Sequence, residues 1–460
     1  MIFSRAQAAD KAGLSSNTSQ RRGIGGWGRE PEAPARPAGM PAFAVSATDD
    51  IGDAALGFSG TDRAGRQARL ALADSLSASQ PVTHRERFAG RNDTLTTLIA
   101  AIEQQRAHVV LYGERGIGKT SLIHVFAETA REAQYLVLYG SCGVEARFDD
   151  MFRSYAAQIP LLYHNSISPT ADEDEHRRTF ADLLGSQPVD PRELAEVFAQ
   201  IVGTRVVIVL DEYDRVADPA FRRNIAELIK NLSDRAARLQ LILTGVASNL
   251  DELIGFTPSI RRNIVGLAVG PMADADMRDI LARAEAATGL KFAPEATALI
   301  TRMAGGSPYL VRLLGNRAAG RALDETRMLV SVDDAIAGTE AVLAEWNSGL
   351  PKRVQAQLSR AEVRAAWPVL IAAARASGTP DGWFAAHDVV AELPNMQHEA
   401  VAATLDGFVG AIDVFDRAED AAGDAAGDMA VQGREPRYRF RTQVVAQLLG
   451  LSAALARAGR

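Results

Sequence analysis

A glycine-rich run at Leu111–Leu122, LYGERGIGKTSL, holds the residues with the clearest chemistry in the chain. Its spacing is Gly113-x-x-x-x-Gly118-Lys119-Thr120, the P-loop pattern for holding phosphate. The glycines let the backbone turn tightly around an anion without a Cβ clash. In this pattern the lysine reaches the β- and γ-phosphates of a nucleotide and the threonine hydroxyl holds Mg²⁺. The run therefore predicts a site for ATP with Mg²⁺.

The segments on either side of the run agree with that prediction. His108–Tyr112 is mostly apolar with β-branched valines, which predicts a buried parallel strand. Ser121–Arg131 has apolar residues at helical spacing. The order strand, turn, helix directs backbone N–H groups and a helix N-terminus at one place, and a plain strand–turn–helix connection is the alternative. The residues expected to line the phosphate site are Gly113, Glu114, Arg115, Gly116, Ile117, Gly118, Lys119, Thr120 and Ser121.

A second polar pair ends another apolar run. Arg205–Arg215 reads RVVIVLDEYDR, and Val206–Leu210 within it predicts a strand buried on both faces. In a P-loop domain an aspartate at this strand end, here Asp211, supports Mg²⁺. The glutamate directly after it, Glu212, can orient and deprotonate the attacking water, which is typically worth about 10²–10⁴ in rate. The alternative is an acidic helix cap after a core strand, and capping is also the simplest role for Asp214.

The composition describes an ordinary globular chain. It has 460 residues, which favours about three domains, with 47% hydrophobic and 23% charged residues. The net charge of −7 gives no general attraction for nucleic acid or acidic membranes. The single cysteine, Cys142, fits a reducing cytoplasm. No apolar run approaches a transmembrane helix, and the N-terminal residues lack the apolar core of a signal peptide.

The residues before the P-loop divide into a polar tail and two helical segments. Met1 to about Gly60 is predicted to be an unstructured tail, and Ser15–Met40 within it is rich in Ser, Gly, Pro and Arg. Thr61–Ser79 has a helical pattern. Phe88-Ala89-Gly90-Arg91 then predicts a turn, followed by an amphipathic helix with Asn92 or Asp93 as its cap.

An F-x-G-R turn, a helix and then a P-loop strand resemble the start of AAA+ and related STAND-type ATPases, especially the origin-recognition-like initiator clade. The resemblance covers roughly residues 84–455 and is most specific at the P-loop and the Asp-Glu strand. It implies an α/β fold with a P-loop parallel-sheet core, a helical lid and a C-terminal winged helix. In these proteins the turn before the first helix lies over the adenine, which would place Phe88, Gly90 and Arg91 at the base.

The resemblance also assigns roles to polar residues further along the chain. Thr244 follows the apolar strand Leu239–Leu243 and matches sensor one, which contacts the γ-phosphate or the water. The pair Arg261-Arg262 precedes a predicted final strand, Ile264–Leu267, where AAA+ proteins carry an arginine finger. Such a guanidinium could reach the γ-phosphate in a neighbouring subunit. A basic surface loop explains the same pair equally well.

Three predicted helices after the core resemble the AAA+ lid: Ala273–Gly289, Ala293–Gly305 and Pro308–Ala322. The turn before the third matches the G-x-P pattern of STAND proteins, in which the proline, here Pro308, packs near the adenine. A typical initiator carries an arginine here, called sensor two, and Arg312 one turn further on is a candidate substitute. This departure favours a switch that holds its nucleotide over a fast motor.

The last hundred residues predict a winged helix. The helices are Ala361–Arg375, Ala385–Glu392 and Gln397–Phe408, and the strands of the wing are Ile412–Phe415 and Arg437–Arg441. In initiators the third helix of such a module reads DNA. Here that helix has acids and no Lys or Arg, and the wing tip reads EDAAGDAAGD. Because DNA binding needs basic residues against phosphates, we favour protein contact or an intramolecular latch.

The predicted organisation is a tail and leading helix at 1–80, an ATPase core at 81–270, a lid at 271–345 and a winged helix at 350–460. We expect a cytoplasmic ATP-binding and ATP-hydrolysing switch that controls a protein partner or self-assembly, without membrane contact. One alternative is a DNA-binding initiator, loader or transposition-type regulator, with the Arg-containing Met1–Met40 as its best DNA contact. A second is a scaffold that binds ATP without hydrolysing it.

Overall fold

The computed structural model describes residues 60–166, 178–247, 258–377, 382–409, 414–418 and 435–458, together with Leu250 and Leu253. All the elements below belong to one compact unit, Phe58–Arg460. Residues 1–59 of the predicted unstructured tail and the predicted wing tip at 419–428 lie outside the described residues.

A five-stranded parallel sheet organises the first half of the unit, which confirms the predicted P-loop fold class. Its strands are β1 His108–Tyr112, β2 Leu136–Ser141, β3 Val206–Asp211, β4 Leu239–Gly245 and β5 Ile264–Ala268. The spatial order is β2-β3-β4-β1-β5. Every position of β3 and β4 is buried, as expected where both faces of a sheet are covered.

Helices cover the two faces of this sheet. After the leading helix α1 Gly60–Ser75, which packs elsewhere, they are α2 Asn92–Glu103, α3 Lys119–Glu132, α4 Phe148–Ala156, α5 Pro191–Phe198, α6 Pro219–Asp234 and α7 Pro258–Arg261. Strand side chains alternate between faces. Val207 and Val209 join the core with α2 and α3, whereas Ile208 and Leu210 join the core with α4, α5 and α6. The unbroken apolar runs seen in the sequence therefore serve two cores at once.

Two of the predicted helix caps are wrong. Helix α2 begins after Arg91, which has a left-handed backbone and no capping side chain, so Asn92 and Asp93 are its first helical residues rather than its cap. Helix α6 is capped by Asp218, whose side chain accepts from the backbone N–H of Ala220, and Pro219 follows it in the first turn. Asp214 therefore does not cap that helix.

The region predicted as a lid, and called the lid below, follows the sheet. It contains α8 Asp274–Thr288, α9 Pro294–Ala304, α10 Pro308–Asp324 and α11 Val332–Gly349, with a short parallel pair, β6 Lys291–Phe292 and β7 Leu329–Val330. Helix α1 packs into the same core, where Leu72 and Leu76 are buried beside Met277, Ile280 and Leu281. The helix predicted at Thr61–Ser79 thus ends at Ser75 and shares the core of the lid.

The C-terminal region builds a separate core around a three-stranded antiparallel sheet of order β8-β10-β9. Its elements are α12 Lys352–Leu358, α13 Ala361–Ala365, α14 Trp367–Ala376, β8 Trp383–Ala385, α15 Ala386–Glu392, α16 His398–Gly407, β9 Phe415–Ala418, β10 Arg437–Phe440 and α17 Gln443–Ala458. The helix predicted at Ala361–Arg375 is interrupted at Ala366, because Pro368 lacks an N–H and restricts the residue before it.

Three further features of this region differ from the prediction. Strand β9 extends to Ala418, three residues beyond the predicted strand Ile412–Phe415, whose residues Ile412 and Asp413 lie outside the described residues; β8 and α17 were not predicted. Helix α17 joins two cores, since Leu449 is buried in the C-terminal core and Leu451 in that of the lid. The winged-helix interpretation of this region stays a prediction.

Candidate functional site

A cavity of about 600 Å³ opens at the carboxyl edge of the parallel sheet. This volume is within the range of roughly 300–1,000 Å³ that is common for small-molecule sites. Its walls come from the P-loop, the ends of β3 and β4, the turn before α2 and the start of α10. The predicted residues that line it are Phe88, Arg91, Arg115, Gly116, Gly118, Lys119, Thr120, Ser121, Asp211, Glu212, Thr244, Pro308 and Arg312.

The P-loop is held in a tight turn by its glycines and its lysine. Gly118 has φ +98°, and a Cβ on Gly113 would come within 2.3 Å of the Val269 carbonyl oxygen, so these positions require glycine. The Lys119 ammonium donates to the carbonyl oxygens of Gly113 and Glu114, each at 2.8 Å. Burial lowers the pKa of Lys119 to about 8, against the opposing effect of nearby carboxylates. The Lys119 ammonium therefore lies in a partly desolvated turn.

Three further residues of the P-loop segment, Glu114, Ile117 and Ser121, surround this turn. Ile117 is buried in the core shared with α2 and α3. The Ser121 hydroxyl accepts from the backbone N–H of Val82 at 3.1 Å, which ties the segment after α1 to the start of α3. Burial raises the pKa of Glu114, and the charge of Lys119 opposes that rise.

Asp211 lies at the centre of the polar contacts. One carboxylate oxygen accepts from the Thr120 hydroxyl at 2.9 Å and the Tyr139 hydroxyl at 2.6 Å. The other accepts from the Thr244 hydroxyl and from the backbone N–H of Glu212. Asp211 is only 3% exposed, so these four donors replace water around its charge. Tyr139 was not predicted as a site residue.

Glu212 turns away from the strand with a left-handed backbone, φ +53°. Such a backbone is uncommon for residues other than glycine and often marks a functional turn. Its half-exposed carboxylate accepts from the Arg215 guanidinium at 2.7 Å and the Ser141 hydroxyl at 3.1 Å. Asp214 lines the cavity too, and its carboxylate accepts from the backbone N–H of Val246 at 2.9 Å.

The turn at Phe88–Arg91 closes another wall. The Arg91 guanidinium donates to the carbonyl oxygens of Ile117 at 2.9 Å and Gly270 at 2.7 Å, so it fastens the turn to the P-loop. Burial lowers the pKa of Arg91. Gly90 has φ +66° and does not line the cavity. Its role is to form the turn that presents Phe88.

The start of α10 brings the lid to the P-loop. Pro308 stands in the first turn of that helix, and a Cβ on Gly118 would contact it at 3.5 Å. Arg312 is 9% exposed and donates to the carbonyl oxygens of Ser75 at 2.7 Å and Arg87 at 3.4 Å. Burial, with the charge of Arg87, lowers the pKa of Arg312 to about 10. Among the described residues, no carboxylate forms an ion pair with this buried cation.

Arg261 and Arg262 lie elsewhere. Both are exposed and precede β5, whose first residue, Ile264, is opposite His108, the first residue of β1. The pair is therefore at the amino edge of the sheet, whereas the cavity opens at the carboxyl edge. A five-residue strand spans roughly 13 Å. Neither arginine lines this chain's own cavity, and the arginine-finger role of the pair stays a prediction.

A five-stranded parallel sheet with a glycine-rich phosphate loop at its carboxyl edge defines a P-loop NTPase core. Residues 87–243 match the family model described as the AAA ATPase domain. This segment of the chain is therefore an AAA ATPase domain. No curated protein sequence matches the chain. Within the described ranges, no helix is long and apolar enough to cross a membrane.

Several solved structures are similar to the chain at low identity. The Walker-type ATPase of Pyrococcus abyssi is 16% identical over 82% of this chain and 99% of its own, with a TM-score of 0.47. Cdc6p from Pyrobaculum aerophilum is 15% identical over 84% and 99%, with a TM-score of 0.42. The Aeropyrum pernix Orc1 protein in complex with DNA is 16% identical over 85% and 98%, with a TM-score of 0.40.

Proposed function

We propose that this protein is an ATP-binding and ATP-hydrolysing switch whose nucleotide state controls its contact with a protein partner or with a second copy of itself. The observation that carries the proposal is the meeting of Lys119, Asp211 and Glu212 in one cavity of suitable size. Lys119 and the backbone N–H groups of the P-loop bind the phosphates of ATP. The N-terminus of α3 adds its dipole at the same place.

The donor set suits a magnesium ion. The Thr120 hydroxyl and one oxygen of the Asp211 carboxylate are 2.9 Å apart, and oxygen atoms of this kind are the ligands that Mg²⁺ prefers. Thr120 and Asp211 would hold the ion. When bound, Mg²⁺ neutralises charge on the transferring phosphoryl group.

Hydrolysis needs a base beside the terminal phosphate, and Glu212 takes that role in our proposal. It follows Asp211 directly, its carboxylate is half-exposed, and it reaches the same cavity. Ser141 and Arg215 hold this carboxylate through the two contacts described above. Thr244 fixes the neighbouring Asp211 from β4, so that Glu212 projects from a rigid strand end.

A switch needs a physical link from the cavity to other parts of the protein. Arg312 provides one link, because it lines the cavity and donates to the carbonyl oxygen of Ser75, the last residue of α1. The C-terminal region provides another, because it and the P-loop border the same second cavity, of about 560 Å³. It is lined by Glu114 and Arg115 of the P-loop and by Arg439 and Gln447 of the C-terminal region.

For the C-terminal region we infer protein contact or a latch on the ATPase domain, and we favour a winged helix as its fold. Its position beside the P-loop suits a latch. Helix α16, HEAVAATLDG, has no Lys or Arg, so it lacks the groups that neutralise DNA phosphates. DNA binding by this region is therefore not favoured.

The test compares the wild-type chain with Lys119→Ala and Glu212→Gln by calorimetry with ATP–Mg²⁺ and by steady-state phosphate release. Lys119→Ala should weaken ATP binding by about 10²-fold or more, because phosphate charge loses its partner in a partly buried site. Glu212→Gln should bind ATP normally and hydrolyse it about 10²-fold more slowly or worse.

Each contrary result has a separate meaning. Equal affinity in Lys119→Ala contradicts the nucleotide site. Equal turnover in Glu212→Gln moves the base to another residue. A wild-type chain that binds ATP and never hydrolyses it favours a scaffold over a switch.

A further inference from the structure

The Tyr139 hydroxyl donates a short hydrogen bond, 2.6 Å long, to the Asp211 carboxylate. We propose that Tyr139 is a positioning residue for Mg²⁺: it aims the Asp211 carboxylate at the Thr120 hydroxyl. The proposal rests on the proposed function, since it concerns the same metal and the same nucleotide.

Strand geometry explains why Tyr139 arrives at this place. Parallel pairing puts Tyr139 beside Val209, two residues before Asp211. Because side chains alternate along a strand, Tyr139 and Asp211 project to the same face of the sheet, and Thr244 of β4 projects there too. That face is covered by α3, which carries Thr120 in its first turn. Three strands and one helix therefore converge on one carboxylate.

The ring of Tyr139 is held from the other side. It packs against the ring of His124, also on α3, with 4.8 Å between the ring centroids. Tyr139 thus contacts α3 through its ring and Asp211 through its hydroxyl. Burial, the hydrogen bond and the charge of Asp211 all raise the pKa of Tyr139. The phenol accordingly keeps its proton and stays a donor at any physiological pH.

Lone-pair geometry gives the contact its function. A carboxylate oxygen has two lone pairs. This oxygen of Asp211 accepts one hydrogen bond from Tyr139 and one from Thr120, so two donors share its lone pairs. A cation that takes Thr120 as a ligand would lie on the Thr120 side, and the Tyr139 contact would remain in place. Removing the phenol hydroxyl would leave Thr120 as the one donor to this oxygen among the described residues, so the orientation of the oxygen toward the metal position would be less well fixed.

Groups that orient a metal-binding carboxylate typically contribute 10–100-fold to metal affinity. Tyr139→Phe removes only the hydroxyl and keeps the ring against His124. In the full chain, we expect the Mg²⁺ concentration for half-maximal ATP binding to rise about 10-fold, followed with a fluorescent ATP analogue. Binding of the same analogue in EDTA should stay within about twofold of wild type, because the P-loop contacts do not involve Tyr139.

Tyr135→Phe is the matched control. Tyr135 directly precedes β2 at the opposite edge of the sheet, and its hydroxyl contacts only the Arg205 guanidinium at 3.4 Å among the described residues. This variant should keep the wild-type Mg²⁺ dependence. A second test adds Tyr139→Phe to Asp211→Asn, where it should have no further effect on Mg²⁺ dependence, because the carboxylate to be oriented is already gone.

An unchanged Mg²⁺ dependence in Tyr139→Phe overturns the role of Tyr139 and leaves the proposed function standing. An equal loss of binding with and without Mg²⁺ also overturns it, since that pattern indicates general damage to the site. A wild-type chain whose ATP binding ignores Mg²⁺ contradicts the proposed function itself, and the role of Tyr139 with it.

Discussion

The parallel sheet and the antiparallel C-terminal sheet both gather hydrogen bonds on a carboxylate, with different results. Asp211 is 3% exposed and accepts from four donors, one each on β2, β4 and α3 and the backbone N–H of Glu212 directly after β3. Glu435, just before β10, accepts from His387 and His398, whose side chains are 66% and 48% exposed. The first cluster is desolvated and rigid, whereas the second lies at the surface and is screened by water.

The difference in burial between Asp211 and Glu435 determines how much each hydrogen bond to the carboxylate contributes. A hydrogen bond to a buried charge is worth more than the same bond in water, and its loss leaves the charge without a partner. An exposed ion pair typically contributes less than about 1 kcal/mol. We therefore expect the carboxyl edge of the parallel sheet to govern activity. The C-terminal region should depend for its stability on its aromatic core.

The largest effect should come from that aromatic core. Phe384 is 1% exposed, and its ring lies within 5.6 to 6.2 Å of the rings of Phe415, Tyr438 and Phe440. Phe384→Ala should destabilise the C-terminal region by about 3–5 kcal/mol, measured by urea unfolding. The control Val444→Ala, at an exposed position, should change stability by less than about 0.5 kcal/mol.

The same variant tests whether the two regions are independent. No residue of this aromatic group lines the first cavity, so ATP–Mg²⁺ affinity of Phe384→Ala should stay within about twofold of wild type at low urea. A large loss of affinity would mean that the C-terminal sheet and the ATPase domain fold as one cooperative unit and are not independent regions.

The second-largest effect is expected on ATP turnover, from a change at Thr244 on the carboxyl edge of the parallel sheet. Thr244 is fully buried, and Thr244→Val keeps its shape while removing one donor to Asp211. The loss of a hydrogen bond to a charged group, about 1.5–3 kcal/mol, corresponds to roughly 10–100-fold in ATP turnover. The matched control is Thr339→Val, because Thr339 is equally buried but its hydroxyl donates to Ala335 of its own helix. Equal losses in the two variants would refute a special role for Thr244.

Much of the parallel-sheet region could be predicted from the sequence. Runs such as Val206–Leu210 give the strands, and the P-loop spacing places Thr120 near the end of β3 because both belong to the carboxyl edge. Tyr139 was missed for a physical reason. Its contact to Asp211 depends on the register of β2 against β3, and a strand sequence shows which side chains share a face without showing which strand is its neighbour.

The less predictable features depend on contacts distant in sequence. Leu76 shows a helical pattern, yet nothing near it indicates that the partner is the lid core. Arg312 looks like a substitute for an arginine one turn earlier, and its carbonyl partners at Ser75 and Arg87 are more than 200 residues away. In the C-terminal region the strands have three or four residues each, too short for a clear alternation, so β8 was missed and the end of β9 at Ala418 was not predicted.

The smallest effect should come from pH at the exposed C-terminal cluster. The hydrogen bond that His387 donates to Glu435 raises the pKa of His387, and the charges of Asp388 and Glu435 add to this rise against partial burial. Because the folded pKa is above the unfolded value of about 6.5, the contribution of His387 to stability is fully present below that value. It is lost as pH rises through the folded pKa.

Glu435 sets the lower limit of the pH range in which this cluster stabilises the C-terminal region. Burial raises its pKa, but the hydrogen bonds to His387 and His398 outweigh burial, so its folded pKa is lowered. Its contribution is therefore present above about pH 4.5 and is lost as pH falls through the folded pKa. The cluster should stabilise the C-terminal region most between roughly pH 4.5 and 6.5.

Urea unfolding of wild type and His387→Gln at pH 5.5, 6.5 and 8 checks this window. Wild type should be more stable than the variant at pH 5.5 by less than about 1 kcal/mol, as the exposure of the pair requires, and the difference should shrink by pH 8. In a Glu435→Gln background the His387→Gln change should show no such pH dependence, because the anion that favours the protonated imidazole is absent. A difference that grows with pH would show that His387 acts as a neutral hydrogen-bonding group, and the surface cluster would then resemble the desolvated one at Asp211 more closely than its exposure implies.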